Sequence, residues 1–198
     1  QPVTQQAVTQ APTEPAATDS HNKINLSTAE ILRILRVVGS VAVGIWFAAV
    51  NLRMHRKLRA SRRPVEVENC SLPVYVSDQV DTPCLFGLFH PAIYLTEDCL
   101  EDDSTLRYAI VHEQTHYRHL DFLWALLRCL CLALHWYNPL VWWAALASQK
   151  DAELACDESV LRRLGDSDRA PYGRALLRLT CEKRPRLLSV STTMTGSA

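Results

Sequence analysis

Three histidines and one glutamate lie within the stretch AIVHEQTHYRHLD, residues 109–121. His112, Glu113 and His116 form the pattern His-Glu-x-x-His. On a helix, positions 112 and 116 share a face and lie about 6 Å apart along the axis, so their imidazoles can bind one Zn²⁺. Glu113 is rotated away from that pair and is suited to act as general base toward an attacking water. The stretch therefore predicts a zinc-peptidase site, although the pattern also occurs by chance.

A catalytic zinc needs a third protein ligand. His119 shares the face of His112 but lies about 10 Å farther along a regular helix, so we expect it to be a surface or interface residue. Glu153, in the later run DAELACDE, is the better candidate and would give a site of two histidines and one glutamate. Asp157, one turn on, could accept a hydrogen bond from a ligand histidine. A solvated acidic face is the alternative reading of this run.

Bulk composition excludes little. The chain has 198 residues and a formal net charge of zero, which gives no argument for a nucleic-acid partner. None of its seven cysteines falls in a Cys-x-x-Cys pair, so neither a zinc ribbon nor a thioredoxin-type site is indicated. This cysteine usage fits a reducing compartment better than a secreted disulfide scaffold.

The N-terminal third changes character twice. Residues 1–30 are rich in Gln, Thr, Ala and Pro, which predicts a disordered arm without a cleavable signal peptide. Ser27 and Glu30 form a capping box, and residues 31–52 are apolar enough for a transmembrane helix. A buried helix of a soluble bundle is the alternative.

Charge then predicts how the chain is oriented in a membrane. Six Lys and Arg lie within residues 53–63, a basic juxtamembrane segment, whereas residues 1–30 contain only Lys23. By the positive-inside rule, the chain after residue 52 is cytoplasmic and the arm is extracytoplasmic. A lipid bilayer is therefore an expected partner.

Residues 64–185 predict an α+β domain, followed by a loose C-terminal end at residues 186–198. VEVENC and LPVYVS alternate as short strands, and PCLFGLFHPAIYLT predicts a hairpin that turns near His90 and Pro91. The helix that carries the histidines should begin with Asp103 or Ser104 as its N-cap. Residues 122–147 are apolar and broken at Asn138-Pro139; they could span the membrane, lie against it, or form a buried helical hairpin. Two further helices are predicted, the first ending at Gly165.

Three motifs in one order, IVHEQTHYRHLD, HWYNPLVWWA and DAELACDESVLRRLG, resemble the membrane metallopeptidases of the beta-lactam sensor-transducer type, the BlaR/MecR family. The resemblance covers roughly residues 65–198. It implies a gluzincin-like zinc peptidase domain that faces the cytoplasm between transmembrane helices. By motif position it implies His112 and His116 as zinc ligands, Glu113 as the catalytic base and Glu153 as the third ligand. It also implies that an edge strand within Cys84 to Thr96 holds the substrate backbone.

One departure limits the resemblance. Sensor members of that family carry a penicillin-binding domain with a Ser-x-x-Lys nucleophile. The single Ser-x-x-Lys of this chain, Ser20 to Lys23, lies in the predicted disordered arm and not in a domain of that kind. The resemblance thus implies a zinc endopeptidase that acts in signal transduction on a cytoplasmic regulatory protein, such as a transcriptional repressor, or on itself. Two alternatives stay open: a non-catalytic signalling or scaffold protein with a structural metal site, and a quality-control peptidase for membrane proteins. The intact Glu113 argues against the first of these.

Overall fold

The structure, a computed structural model, describes residues 27–68, 70–181 and 192–193. Its fold is α+β and mostly helical, as the sequence predicts. The expected disordered arm lies outside the described residues except for positions 27–30. In chain order the elements are α1 (Thr28–Ser61), β1 (Arg63–Val65), β2 (Val74–Val76), β3 (Cys84–Phe86), β4 (Ala92–Leu95), α2 (Asp103–Arg118), α3 (Asp121–Leu134), α4 (Pro139–Leu164), α5 (Arg169–Cys181) and β5 (Thr192–Thr193), with short 3₁₀ turns at Glu97–Leu100 and Asp166–Asp168.

Helix α1 is a single continuous helix of 34 residues. The predicted capping box is confirmed, because the Ser27 side chain accepts from the Glu30 backbone N–H while the Glu30 carboxylate accepts from that of Ser27. The basic juxtamembrane segment continues the same helix as far as Ser61. By length and composition, α1 is the one described helix that could cross a membrane. Only 6 % of its most apolar window is buried, which does not fit a core helix of a soluble bundle.

The five strands form one sheet in the order β1-β2-β4-β3-β5. Strands β3 and β4 pair antiparallel, so the predicted hairpin is confirmed, and its turn includes Gly87 at φ 117°. A side chain there would place its Cβ 2.5 Å from the backbone oxygen of His90, so glycine is required. On its other edge β3 pairs with β5, where Leu85 lies opposite Thr192. The expectation of a loose end otherwise falls outside the described residues.

Two predicted boundaries are wrong by a few residues. The strand expected in VEVENC begins earlier, at Arg63, and retains only Val65, because pairing with β2 fixes its register. The N-cap of α2 is Asp102, since its carboxylate accepts from the backbone N–H groups of Ser104 and Thr105. An acidic run offers several capping carboxylates, and the backbone conformation at the helix start selects among them.

Two apolar clusters hold α2 and α1 against the sheet. In the first, buried residues of β2, β3 and β4 contact Ala109 and Ile110 on α2. In the second, Leu58 of α1 is fully buried against Phe86 and Tyr94, among others. The histidine-bearing helix and the end of α1 are thereby fixed to the same sheet.

We expect the Leu58→Ala variant to be destabilised by about 2–5 kcal/mol, the usual cost of removing a large buried apolar side chain. Thermal unfolding of the purified chain in detergent measures this loss. Leu52→Ala is the matched control, because Leu52 lies on the same helix and is 50 % exposed. Equal unfolding temperatures for the two variants would contradict the assigned anchor.

The apolar stretch after α2 folds as two helices, and the predicted break at Asn138-Pro139 is confirmed. Asn138 caps α4 by accepting from the Leu140 backbone N–H at 3.0 Å. The end of α3 lies along α1, where the Trp136 indole donates to the Arg36 carbonyl at 3.4 Å. Many large apolar side chains of this pair of helices are exposed, so its outer face is not a buried hairpin. Those side chains are Leu123, Trp124, Leu126, Leu127, Leu130, Leu134, Leu140, Trp143 and Leu146.

Candidate metal centre

Helix α2 places His112, Glu113 and His116 in the interior of the domain, and none of the three is more than 2 % exposed. The two imidazoles face each other, with their Nε2 atoms 2.9 Å apart. The one-turn spacing produces this geometry, and packing of α2 on the sheet buries it. Both ring nitrogens therefore point at one common position.

Glu153 approaches that position from α4. Its Oε2 lies 3.4 Å from Nε2 of His116 and 3.8 Å from Nε2 of His112. Although burial disfavours the charged carboxylate, the interaction with the two neighbouring histidines lowers the pKa of Glu153 to about 2. The structure thus brings two imidazole nitrogens and one ionised carboxylate oxygen together from two helices.

The Nδ1 atom of each histidine has its own partner. Nδ1 of His116 lies 2.6 Å from Oδ2 of Asp121, the first residue of α3, and Asp121 is buried. Nδ1 of His112 lies 2.7 Å from the hydroxyl of Tyr172 on α5 and 3.3 Å from Oδ1 of Asp157. Because a carboxylate only accepts, His116 donates through Nδ1 and keeps its Nε2 lone pair for a ligand.

The donor set fits a zinc ion. Two Nε2 lone pairs and a carboxylate oxygen that meet at one position repel each other unless a cation lies between them. Burial lowers the pKa of both histidines, but the hydrogen bonds that His112 and His116 make with Asp157 and Asp121 raise each pKa above its ordinary value. The site therefore stabilises positive charge. Imidazole and carboxylate are ordinary zinc ligands. His112, His116 and Glu153 would hold such an ion.

Glu113 occupies a different environment from Glu153. Both of its carboxylate oxygens are buried without a hydrogen-bond partner of good geometry among the described residues. Burial raises the pKa of Glu113, while the charges of His116 and His112 oppose that rise. A buried carboxylate without partners is costly to stability and is typical of a group kept for chemistry.

Cys156 is a second candidate for the third ligand. It is buried, and with the two histidines it forms a group whose ligand atoms all lie within 4.8 Å of one another. However, its thiol donates to the backbone oxygen of His112 at 3.5 Å and lies 3.7 Å from Nδ1, not Nε2, of that ring. Since Nδ1 already has a hydrogen-bond partner in Tyr172, the position of Glu153 is the better one for a ligand.

Other expected and unexpected residues complete the site. His119 is the C-cap of α2 and belongs to no candidate metal-binding group among the described residues. Asp157 lies near His112, the kind of contact expected of it. Sequence reasoning missed Asp121 and Tyr172. Asp121 follows the motif closely enough to have been considered, whereas nothing about a single tyrosine sixty residues after His112 indicates a contact.

An α+β fold, a buried His-Glu-x-x-His helix and a carboxylate from a later helix are together the arrangement expected of a metallopeptidase. The chain belongs to the family described as BlaR1 peptidase M56, whose family model matches residues 1–197. The resemblance seen in the sequence is thereby confirmed.

Relatives in the same family are distant in sequence. Regulatory protein BlaR1 of Bacillus licheniformis is 26 % identical over 163 residues, which cover 81 % of this chain and 25 % of that protein. The methicillin resistance mecR1 protein of Staphylococcus aureus (strain Mu50 / ATCC 700699) is 24 % identical over 140 residues, or 70 % of this chain and 24 % of the relative. The protein of that name from Staphylococcus epidermidis matches to the same extent. The chain spans about a quarter of the length of these curated relatives.

Proposed function

We propose that this chain is a membrane-anchored zinc endopeptidase with a gluzincin-like catalytic domain, acting in signal transduction. One observation carries the proposal: His112, His116 and Glu153 converge on one buried position, and the buried carboxylate of Glu113 lies beside it with no side-chain hydrogen-bond partner among the described residues. A structural metal site needs the three ligands but has no use for a second buried carboxylate that pairs with no other side chain. Family membership supports the same class of reaction.

Each residue has a role in the proposed hydrolysis. Zinc, when bound by the two histidines and Glu153, would polarise the scissile carbonyl and acidify water. Glu113 takes a proton from the attacking water and passes it to the leaving amine. The raised pKa of Glu113 suits both the uptake of the proton from water and its delivery to the amine, because the carboxyl group can hold the proton between these two steps.

Strand β3 is the proposed binding site for an extended peptide. Strand β3 runs beside the helix that carries Glu113. Burial raises the pKa of Cys84 on this strand, and the nearby Glu113 carboxylate raises it further. The edge of β3 that faces away from β4 pairs with Thr192–Thr193 of the same chain. Strand β3 is therefore not the free edge strand that the sequence led us to expect, and a substrate strand would take the place of Thr192–Thr193 and use the same backbone hydrogen bonds. The pairing also supports the chain itself as one substrate.

The membrane placement combines α1 with the surface of α3 and α4. Helix α1 is long enough to cross a bilayer, and the basic residues in 53–63 favour a cytoplasmic peptidase domain. The exposed leucines and tryptophans of α3 and α4 would lie against lipid beside α1. A cytoplasmic regulatory protein, such as a transcriptional repressor, is then within reach, and one relative bears the name regulatory protein BlaR1, which is consistent with this role.

Metal content and metal removal test the proposal. We expect the purified chain in detergent to contain about one zinc per chain and to cleave itself or an unstructured protein added as substrate, with loss of cleavage after chelation and recovery on adding zinc. Mass spectrometry measures both the metal and the products. A chain that binds no zinc, or that cleaves equally well after chelation, would exclude this function.

A further inference from the structure

The hydroxyl group of Tyr172 stands between a proposed zinc ligand and a carboxylate. It lies 2.7 Å from Nδ1 of His112 and donates to Oδ1 of Asp157 at 2.7 Å. A phenol has one proton to give, and Asp157 can only accept, so the oxygen of Tyr172 is left to accept from Nδ1–H of His112. This assignment follows from the network and leaves the lone pair of His112 on Nε2.

We propose that Tyr172 is a positioning residue of the metal centre. Its hydroxyl accepts from His112 and donates to the Asp157 carboxylate, and this relay of two hydrogen bonds fixes the tautomer and ring orientation of His112. The inference rests on the proposed function, because it assumes that His112 is a zinc ligand. Asp121 contacts His116 directly at 2.6 Å, whereas Asp157 is 3.3 Å from His112 and its side chain is 37 % exposed. The two ligands are thus oriented by different means.

Packing holds Tyr172 in the required position. The residue is 2 % exposed, and its ring contacts that of Tyr108 edge to face at 5.9 Å. Both belong to a buried cluster with Cys156 and Val160 of α4. Because α2, α4 and α5 all contribute to this cluster, the hydroxyl can adopt few alternative positions. Docking of α5 and binding of metal at His112 are therefore coupled.

Zinc affinity of conservative variants tests the proposal. We expect Tyr172→Phe to keep the ring packing and to bind zinc about 10- to 100-fold more weakly, as measured by competition with a chromophoric chelator on the full chain in detergent. Tyr108→Phe is the matched control: it also removes a hydroxyl from the cluster, but that hydroxyl donates to Asp168 at 3.2 Å and not to a histidine. It should bind zinc as the wild type does.

If Tyr172 and Asp157 form such a relay, their contributions to zinc affinity should not be independent. Asp157→Asn should weaken zinc binding by a similar factor, and the double variant with Tyr172→Phe should bind no more weakly than the weaker single variant. Fully multiplicative losses would contradict the relay.

A spectroscopic measurement separates positioning from loss of fold. In the cobalt-substituted wild-type protein, the Nδ1–H protons of His112 and His116 should give two exchangeable NMR signals. In Tyr172→Phe the His112 signal should broaden by exchange with solvent, while the His116 signal, held by Asp121, should persist. A general loosening of the domain would affect both signals.

The outcomes separate this inference from the proposed function. If the wild type binds no zinc, both are overturned. If the wild type binds zinc and cleaves, but Tyr172→Phe has wild-type affinity or loses no more than Tyr108→Phe, the positioning role alone is wrong. Selective loss in Tyr172→Phe, together with selective broadening of the His112 signal, supports it.

Discussion

Replacing Glu153 with Gln is expected to lower zinc affinity by about 100-fold or more, because loss of a direct ligand costs at least as much as loss of a group behind one. The substitution keeps the side-chain shape and removes the charge that lies 3.4 Å and 3.8 Å from the two Nε2 atoms. Competition with a chromophoric chelator measures the affinity. Cleavage should fall with it at limiting zinc.

Two controls sharpen this result. Glu158→Gln changes a carboxylate on the same helix that is exposed and paired with Arg162 at 2.5 Å, so it should bind zinc normally. Cys156→Ala tests the competing ligand, and we expect it to affect affinity much less than Glu153→Gln does. A larger loss of zinc affinity in Cys156→Ala than in Glu153→Gln would identify Cys156 as the third ligand. Unchanged zinc affinity in Glu153→Gln would show that Glu153 is not a ligand.

The second large effect is expected from replacing Glu113, which should lower the rate of cleavage without loss of bound zinc. Glu113→Gln should reduce the rate of peptide cleavage by about 10²- to 10⁴-fold, the usual contribution of a positioned general base. Zinc content should stay near that of the wild type, because Glu113 lies outside the three converging donors. Single-turnover cleavage, measured beside metal content on the same sample, separates the two effects.

Glu101→Gln is the matched control for this variant, since Glu101 is an exposed glutamate just before the same helix. It should cleave at the wild-type rate. Full activity in Glu113→Gln would rule out the base and favour the alternative of a non-catalytic metal site. Loss of zinc from Glu113→Gln would instead indicate that Glu113 helps to hold the ion.

Much of the local structure could be predicted because local interactions determine it. The capping box at Ser27, the break at Asn138-Pro139 and the turn between β3 and β4 each depend on residues within a few positions of one another. Boundaries were less certain where several residues could do the same work. The α2 N-cap at Asp102 is an example, since neighbouring Asp103 and Ser104 are also good caps.

The candidate site likewise has features that were predictable from local sequence and features that were not. Helical periodicity by itself places His112 and His116 on one face with Glu113 turned aside, because the three lie within little more than one turn. It also separates His119 from them by axial distance. The partners of these residues come from elsewhere in the chain, and there the sequence offered only candidates.

What the sequence determined by itself was therefore a chelating pair, a base beside it, an apolar helix with a basic end, and membership of a peptidase family. The tertiary structure decided which acidic residue of α4 meets the pair, that Cys156 approaches Nδ1 of His112, and that Tyr172 and Asp121 hold the rings. The physical reason is that spacing along one helix fixes directions within that helix only. Contacts between α2, α3, α4 and α5 depend on how their side chains pack around the sheet.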